Sequence, residues 1–337
     1  MSEIRQPGLG LPEEVAPGAF DRSRLAEFLA GLASRGVLLG TSSWKYPGWI
    51  GALYDRDRYV YRGRFSNRRF EKRCLADYAR VFPTVCVDAA YYQFPTAAWL
   101  RQLVEAVPAE FRFAFKVTDA ITVKRFPNLP RFGGRAGAVN EHFLDADRFQ
   151  SAFLEVCEPV RDRVGLLIFE FSRFSSADFA RGRDFAEALD AFFARLPRGW
   201  SYGVEIRNPG FLHPDYFAVL ARHGVTHVFN SWEAMPSLGE QLALPGSRTS
   251  TVVAARLLLR PGRRYEEAVS QFQPYDRIRD PYPEGCAAAA GLIAEILRGG
   301  QGRKLLIFVN NRFEGSALQT IENLVGLLRR PPASVVA

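Results

Sequence analysis

A carboxylate and a guanidinium stand two residues apart in the segment SYGVEIRNPG, residues 201–210. The segment reads as a strand that ends at Pro209-Gly210, because proline cannot continue a ladder and glycine permits a turn. Side chains alternate along a strand, so Glu205 and Arg207 share one face and the apolar residues share the other. Charges on a buried strand are costly unless they are paired or used. Glu205 and Arg207 are therefore our first candidates for a functional site.

Three more charged residues occupy comparable positions. Asp88 lies near the end of the β-rich run TVCVDA, residues 84–89, and Lys116 lies within FRFAFKVT, residues 111–118. With Glu205 they form the candidate catalytic set, in which Glu205 or Asp88 is the general base and Lys116 stabilises developing charge. Arg256 lies inside the apolar run TVVAARLLL, where it must pair with a carboxylate or bind an anion.

Aromatic, amide and cationic residues cluster near the ends of the same β-rich runs. Rings can stack on a base or a sugar, and amides or guanidinium groups can hold a polar ligand. The alternative roles are packing for the rings and turn or cap formation for the amides. The candidate substrate-binding residues are Trp44, Tyr46, Trp49, Tyr91, Tyr92, Arg207, Asn208, Asn230, Trp232, Arg256, Arg260, Asn310 and Asn311.

Eight β-rich runs position these residues and alternate with amphipathic helical stretches. Most are nearly continuous apolar sequences, as in parallel strands that are buried on both faces. They predict an α/β fold, a (β/α)8 TIM-like barrel whose carboxyl strand ends meet at one rim. A doubly wound sheet is the alternative, but the loop after the first run lacks a G-x-G-x-x-G turn. The runs are 36–41, 84–89, 111–118, 164–171, 201–207, 225–231, 251–259 and 304–310.

We expect residues 36–330 to form one barrel domain, preceded by an arm and a helix within residues 1–35 and followed by a tail at 331–337. Two long loops, about 44–69 and 119–144, follow strands and should rise at the C-terminal face; the first is rich in arginine. The segment 233–248 is a poor helix because proline and glycine interrupt it. Helices are predicted at 21–34, 70–82, 96–107, 145–158, 177–195, 214–223, 284–298 and 315–329.

The formal net charge of +8 favours an anionic partner, either a small molecule or nucleic acid. Four scattered cysteines, no membrane-length apolar run and no signal-peptide core predict a cytoplasmic protein that does not contact a membrane. No histidine spacing is typical of a metal site, so no cofactor is expected. A divalent metal held by Asp88, Glu170 and Glu205 is the alternative, and the sequence does not determine the oligomeric state.

The motifs GTSSWKYPGW (40–49), DAAYYQFP (88–95), FRFAFKV (111–117), YGVEIRNP (202–209) and FVNN (308–311) together resemble the YecE-like proteins, domain of unknown function 72. The resemblance spans about residues 36–330 and implies a TIM-like barrel without an established reaction. Where relatives commonly carry polar residues, this chain has Ala90, Val123 and Leu258. The resemblance therefore implies altered chemistry at those three positions.

These observations favour a hydrolase or lyase that acts on an anionic, phosphate-bearing substrate, with fold-level analogues among barrel enzymes that process nucleic-acid ends. Lys116, Arg207 and Arg256 would hold the anion. The second hypothesis is a nucleic-acid or ligand-binding barrel without catalysis, in which loop arginines contact phosphates. A carbohydrate-active enzyme ranks third, with Glu170 and Glu205 on neighbouring strands as the carboxylate pair.

Overall fold

Eight parallel strands close into a barrel in a computed structural model that describes residues 20–299 and 302–329. Each strand pairs with its neighbours along the chain, and the first closes against the eighth from Val37 opposite Leu305 to Thr41 opposite Val309. The predicted (β/α)8 barrel is confirmed. The strands are β1 Val37–Thr41, β2 Thr84–Val87, β3 Arg112–Lys116, β4 Val164–Glu170, β5 Tyr202–Glu205, β6 Thr226–Ser231, β7 Val252–Leu257 and β8 Lys304–Val309.

Helices surround the barrel and precede β1. The helix between β3 and β4 runs over 146–157 and contains one π turn, Gln150–Leu154. The predicted arm up to residue 19 and the tail at 331–337 lie outside the described residues. The main helices are α1 Arg22–Ala33, α2 Asn67–Tyr78, α3 Ala97–Glu105, α4 146–157, α5 Gly182–Phe193, α6 Pro214–His223, α7 Leu238–Ala243, α8 Tyr265–Phe272, α9 Pro283–Arg298 and α10 Ala317–Arg329.

Several helical segments differ from the sequence prediction, among them α5, α7 and α8. The segment predicted to be a poor helix contains the short helix α7, which is stabilised by a capping box between Ser237 and Glu240. Helix α8 has no counterpart in the prediction, since it lies between clusters of arginine and proline. Helix α5 begins at Gly182, five residues later than the predicted start at 177.

Strand alternation separates two sets of side chains. On β5, Tyr202 and Val204 pack in the outer core against the helices, whereas Gly203 faces Leu166 and Val228 inside the barrel. The lower interior is an apolar layer, and the same inward faces become charged toward the carboxyl ends of the strands. We call this set the charged layer: Asp88, Lys116, Glu170, Glu205, Arg207 and Arg256.

The two long loops are ordered by local structure. In the loop after β1, Tyr54 and Tyr59 pack edge-on with ring centroids 6.1 Å apart, and the Tyr59 hydroxyl donates to Asp77 at 2.6 Å. In the loop after β3, the Asn140 amide donates to the carbonyls of Ala120 and Val123 at 2.8 and 2.7 Å. Across the described part of the chain, no helix combines the length and apolar character needed to cross a membrane.

Candidate active site at the carboxyl end of the barrel

Arg256 lies at the centre of the charged layer. Its Nη1 contacts Glu170 Oε2 at 2.6 Å and Glu205 Oε2 at 2.7 Å, and its Nη2 lies 3.4 Å from Asp88 Oδ1. These partners come from β4, from β5 and from the end of β2. The guanidinium therefore joins three separate strands at the level where the barrel opens.

The other two cations complete the network from opposite sides. Lys116 Nζ lies 2.9 Å from Glu170 Oε2 and 3.7 Å from Asp88 Oδ1, and it sits 4.1 Å above the Tyr91 ring. Arg207 contacts Glu205 Oε1 at 2.5 Å and donates to Asn230 Oδ1 at 3.0 Å.

Arg207 also stacks on Trp232, with its guanidinium carbon 4.3 Å from the ring centroid. Arg207 follows β5, whereas Asn230 lies on β6 and Trp232 directly follows it, so two neighbouring strands bring these three predicted binding residues into one corner of the mouth.

The charges of the layer balance, because three cations face three carboxylates. Burial, the largest influence, would raise the pKa of Glu170, but Lys116, Arg207 and Arg256 hold it well below its usual range. Burial would lower the pKa of Lys116, yet Glu170 and Asp88 raise it above its ordinary value. Glu170 is thus a carboxylate and Lys116 an ammonium at neutral pH. Neither is suited to accept a proton from a substrate.

The three carboxylates of the charged layer differ in the fraction of the side chain that is exposed to solvent. The side chain of Glu205 is 0% exposed and that of Glu170 is 14% exposed, whereas that of Asp88 is 35% exposed. Asp88 lies at the rim because it directly follows the last residue of β2, Val87, and precedes the one-turn helix Ala89–Tyr92. Within the charged layer, Asp88 is therefore the carboxylate that a molecule in the mouth can reach.

Aromatic residues line the rim beside Asp88. Tyr91 is buried under Lys116, whereas Tyr92 is exposed and lies 5.1 Å from the guanidinium of Arg131. Trp232, on the side of the mouth formed by β6, lies 6.1 Å from the ring of Tyr265. These rings give the mouth flat apolar surfaces of the kind that stack on bases or sugars.

Several predicted binding residues make structural contacts. Asn208 bridges to the backbone N–H and carbonyl of Phe174, at 2.8 and 3.0 Å. Asn310 accepts from the Arg312 N–H at 3.0 Å, and Asn311 accepts from the Ala317 N–H at the start of α10 at 2.8 Å.

Four further predicted residues are held in the loops. Trp44 and Trp49 are buried in the loop after β1, and Tyr46 is half-buried against Trp49 with ring centroids 4.8 Å apart. Arg260 pairs with Asp280 at 3.2 Å. These contacts correspond to the packing and capping alternatives that the sequence leaves open.

Two residues outside the predicted catalytic and substrate-binding sets are prominent in the site. Glu170 contacts all three cations of the layer, and its inward position follows from the alternation of VGLLIFEF, in which Leu166 and Ile168 share its face. Arg312 directly follows the asparagine pair at the end of β8, and its guanidinium lies over the Tyr265 ring beside the mouth. Both are charged residues at inward or strand-end positions, which is the signal in the sequence that marks them.

The three carboxylates considered for a divalent metal surround the guanidinium of Arg256. Among residues 20–299 and 302–329, no group of three or more His, Cys, Asp or Glu side chains is arranged to hold a metal ion. The charge that a metal would bring is supplied at this level of the barrel by protein cations.

The three positions at which the resemblance implies altered chemistry are apolar and buried. Ala90 lies beneath Thr118, whose hydroxyl donates to the Ala90 carbonyl at 2.7 Å. Val123 packs with Phe126 and Phe132, and Leu258 packs in the cluster below the loop after β7. None of the three side chains carries a polar atom into the mouth.

A cavity of about 1180 Å³ opens at the opposite, N-terminal end of the barrel. Leu38, Gly165 and Leu306 form part of its lining, at the starts of their strands. The charged layer lies at the other end, where barrel enzymes keep their reacting groups. We therefore place the candidate active site at the carboxyl end.

The model of the family described as protein of unknown function DUF72 matches residues 38–336. The chain belongs to the DUF72 family. This confirms the resemblance seen in the sequence motifs. No curated protein matches the chain significantly.

Solved structures of DUF72 proteins share the fold. One from Enterococcus faecalis has 17% identity and a TM-score of 0.57, covering 88% of this chain and 96% of its own. One from Thermotoga maritima has 19% identity and a TM-score of 0.55, covering 87% of this chain and 99% of its own. At these identities the likeness to the DUF72 structures supports the barrel fold alone.

Proposed function

We propose that this protein is a hydrolase or lyase that acts on an anionic, phosphate-bearing substrate at the carboxyl end of the barrel, with Asp88 as general base. The observation that carries the proposal is the position of Asp88. Its carboxylate is partly exposed at the mouth, and its Oδ1 lies 3.4 Å from Arg256 and 3.7 Å from Lys116. Because its carboxylate is exposed to the mouth, Asp88 can take a proton from a substrate there, while the two cations stabilise the negative charge that develops.

Glu205 then has a positioning role. It is fully buried and is held by Arg207 at 2.5 Å and Arg256 at 2.7 Å, so it cannot reach a substrate. Its charge keeps both guanidinium groups in place beneath the mouth. We accordingly assign the base to Asp88 and not to Glu205.

An anionic substrate is supported by the balance of charges. The charged layer has no net charge, so one additional unpaired cation at the mouth gives the mouth a net positive charge. Arg312 is such a cation: no carboxylate in the described part of the chain forms an ion pair with it. A phosphate group would compensate that charge.

The test is turnover of a panel of phosphomonoesters and phosphodiesters, with and without Mg²⁺, by the wild type and by Asp88→Asn. Loss of the base should lower kcat by roughly 10²-fold or more while the fold is retained. Asp162→Asn, the same substitution at the opposite end of the barrel, is the matched control and should keep full turnover. Wild-type inactivity across the panel, or unchanged activity of Asp88→Asn, would refute the proposal.

Nucleic-acid binding without catalysis is a second candidate, and one observation favours it. Tyr61, in the arginine-rich loop after β1, is 53% exposed. Arg62 and Arg69 lie 5.3 and 5.2 Å from its ring centroid. An exposed ring flanked by cations is suited to a stacked base and its phosphate.

Glycoside hydrolysis has less support from the geometry. Glu170 and Glu205 both contact Nη1 of Arg256, at 2.6 and 2.7 Å. The guanidinium thus fills the space between the carboxylates, where a glycosidic bond would have to lie.

A further inference from the structure

Arg312 is a cation at the mouth that the described residues leave without a paired counter-charge. Its side chain is half-buried, and its Nε is fully buried without a hydrogen-bond acceptor. Its guanidinium carbon lies 4.8 Å from the ring centroid of Tyr265. A buried guanidinium nitrogen without an acceptor is costly. A bound ligand that carries acceptor atoms would satisfy this nitrogen.

Tyrosines surround this guanidinium from two loops. Tyr46 follows β1 and Tyr275 follows β7, and their rings meet edge to face with centroids 5.7 Å apart. Burial raises the pKa of Tyr46 to about 12, so its hydroxyl stays protonated and can donate. The described residues around Arg312 thus offer donors without a paired carboxylate.

The loop after β1, which carries Tyr46, and the loop after β7, which carries Tyr275, are in close contact. A Cβ on Gly48 would lie 1.9 Å from the Pro274 carbonyl oxygen, so the backbones of the two loops are in direct contact. Tyr275 has a φ of 71°, a left-handed conformation that is uncommon for residues other than glycine. Such strain is often found at functional sites. The ring of Tyr275 is therefore placed by a constrained backbone and not by a free loop.

Unused donors are concentrated at the ends of β1 and β8. These strands are neighbours, and the Ser42 N–H donates to the Val309 carbonyl at 3.0 Å. In native proteins most buried polar atoms have a partner, so a group of exceptions requires an explanation. The buried side-chain atoms without an acceptor in this sector of the described chain are Ser42 Oγ, Trp44 Nε1, Trp49 Nε1, Asn311 Nδ2 and Arg312 Nε.

We propose that Arg312, with the hydroxyls of Tyr46 and Tyr275, forms an oxyanion-binding subsite at the mouth, separate from the charged layer. Its ligand is a phosphate or carboxylate group, and the exposed ring of Tyr265 gives the attached part of the molecule a surface to stack on. That this molecule is the substrate rests on the proposed function, whereas the binding of the anion does not depend on that function. The three cations of the layer are already neutralised, which is why Arg312 is the cation that holds the anion.

The experiment measures binding of inorganic phosphate, and of acetate in parallel, to the full chain by calorimetry at low ionic strength. We expect saturable binding of at least one anion. The preferred anion identifies the ligand class. Arg312→Gln should weaken that binding by about tenfold or more, since a charge-assisted hydrogen bond is lost. Arg312→Lys should retain part of the affinity, and Tyr275→Phe should lose a few-fold.

Arg263→Gln is the matched control. Arg263 lies in the same loop region and near an aromatic ring, 5.1 Å from Phe272, but it already pairs with Asp280 at 2.6 Å. Its loss should leave anion binding unchanged. Wild-type protein that binds neither anion, or equal binding by Arg312→Gln, Arg312→Lys and wild type, would overturn the subsite.

Asp88→Asn separates this inference from the proposed function. It should bind the anion as well as the wild type or better, because a negative charge near Arg312 is removed. Retained turnover of Asp88→Asn with anion binding lost only in Arg312→Gln would refute Asp88 as the base and leave the subsite standing.

Discussion

Glu170 is the carboxylate on which the charged layer converges. Its Oε2 lies 2.6 Å from Arg256, 2.9 Å from Lys116 and 3.5 Å from Arg207. Because these cations hold its pKa below the ordinary value of 4.5, its charge stabilises the folded state above that pH. The stabilisation is lost as the pH falls through the lower, folded-state pKa.

Glu170→Gln should lower the free energy of unfolding at pH 7 by about 3–5 kcal/mol, since it leaves three buried cations with two carboxylates. The gap to the wild type should narrow as the pH falls below 4.5, because the Glu170 carboxyl is then increasingly protonated in the unfolded wild-type chain while it stays ionised in the folded state. Urea unfolding between pH 7 and pH 3 measures this. Glu158→Gln removes an exposed ion pair with Arg161 and should change little. A gap that stays constant with pH would contradict this account of Glu170.

At the scale of elements, the site depends on how the loops after β1 and β7 meet. The one-turn helix Pro47–Trp49 packs against Pro274 so closely that only glycine fits at position 48. This contact sets the separation between Tyr46 and Tyr275. The loop after β1 thus contributes a fixed wall to the mouth.

Gly48→Ala should destabilise the protein by about 1–3 kcal/mol, because the new methyl group meets a backbone carbonyl that cannot move aside freely. It should also weaken anion binding, since the two tyrosines are pushed apart. Thermal unfolding and calorimetry measure both effects. Gly210→Ala is the matched control and should be neutral, because a Cβ at that position meets no described atom within 4 Å beyond its chain neighbours. A Gly48→Ala protein with wild-type stability would show that the loops adapt.

For the molecule as a whole, the excess of positive over negative charge lies outside the barrel interior. The charged layer is neutral in sum, while the formal net charge is +8. Arginines exposed in the loop after β1 contribute to it: Arg56, Arg58, Arg62, Arg64 and Arg68. A surface of this kind attracts polyanions in a salt-dependent way.

If that surface binds nucleic acid, a fluorescent single-stranded oligonucleotide should bind at low salt and dissociate steeply as salt rises. Arg62→Gln with Arg64→Gln should reduce the slope of log K against log salt by roughly one per lost phosphate contact. Arg183→Gln with Arg222→Gln removes equal charge from arginines already paired with aspartates, and should have little effect. Fluorescence anisotropy measures both variants. The absence of binding at low salt would exclude the nucleic-acid candidate.

The barrel and the inward faces of its strands were predictable from sequence. Apolar runs of strand length alternate with helical stretches, and alternation within YGVEIRNP places Glu205 opposite Val204. The short helix α7 was not predictable from the sequence, because its capping box stabilises a segment whose prolines argue against a helix.

The fold and the charged residues near the carboxyl rim could be predicted from local periodicity and from where the strands end. Which charges meet could not, because it depends on contacts across the closed barrel: Asp88 and Arg256 are 168 positions apart yet lie 3.4 Å from each other. Distances across strands likewise leave Arg312 without an ion pair among the described residues. Those distances are set when the barrel closes, and no local pattern in the chain encodes them.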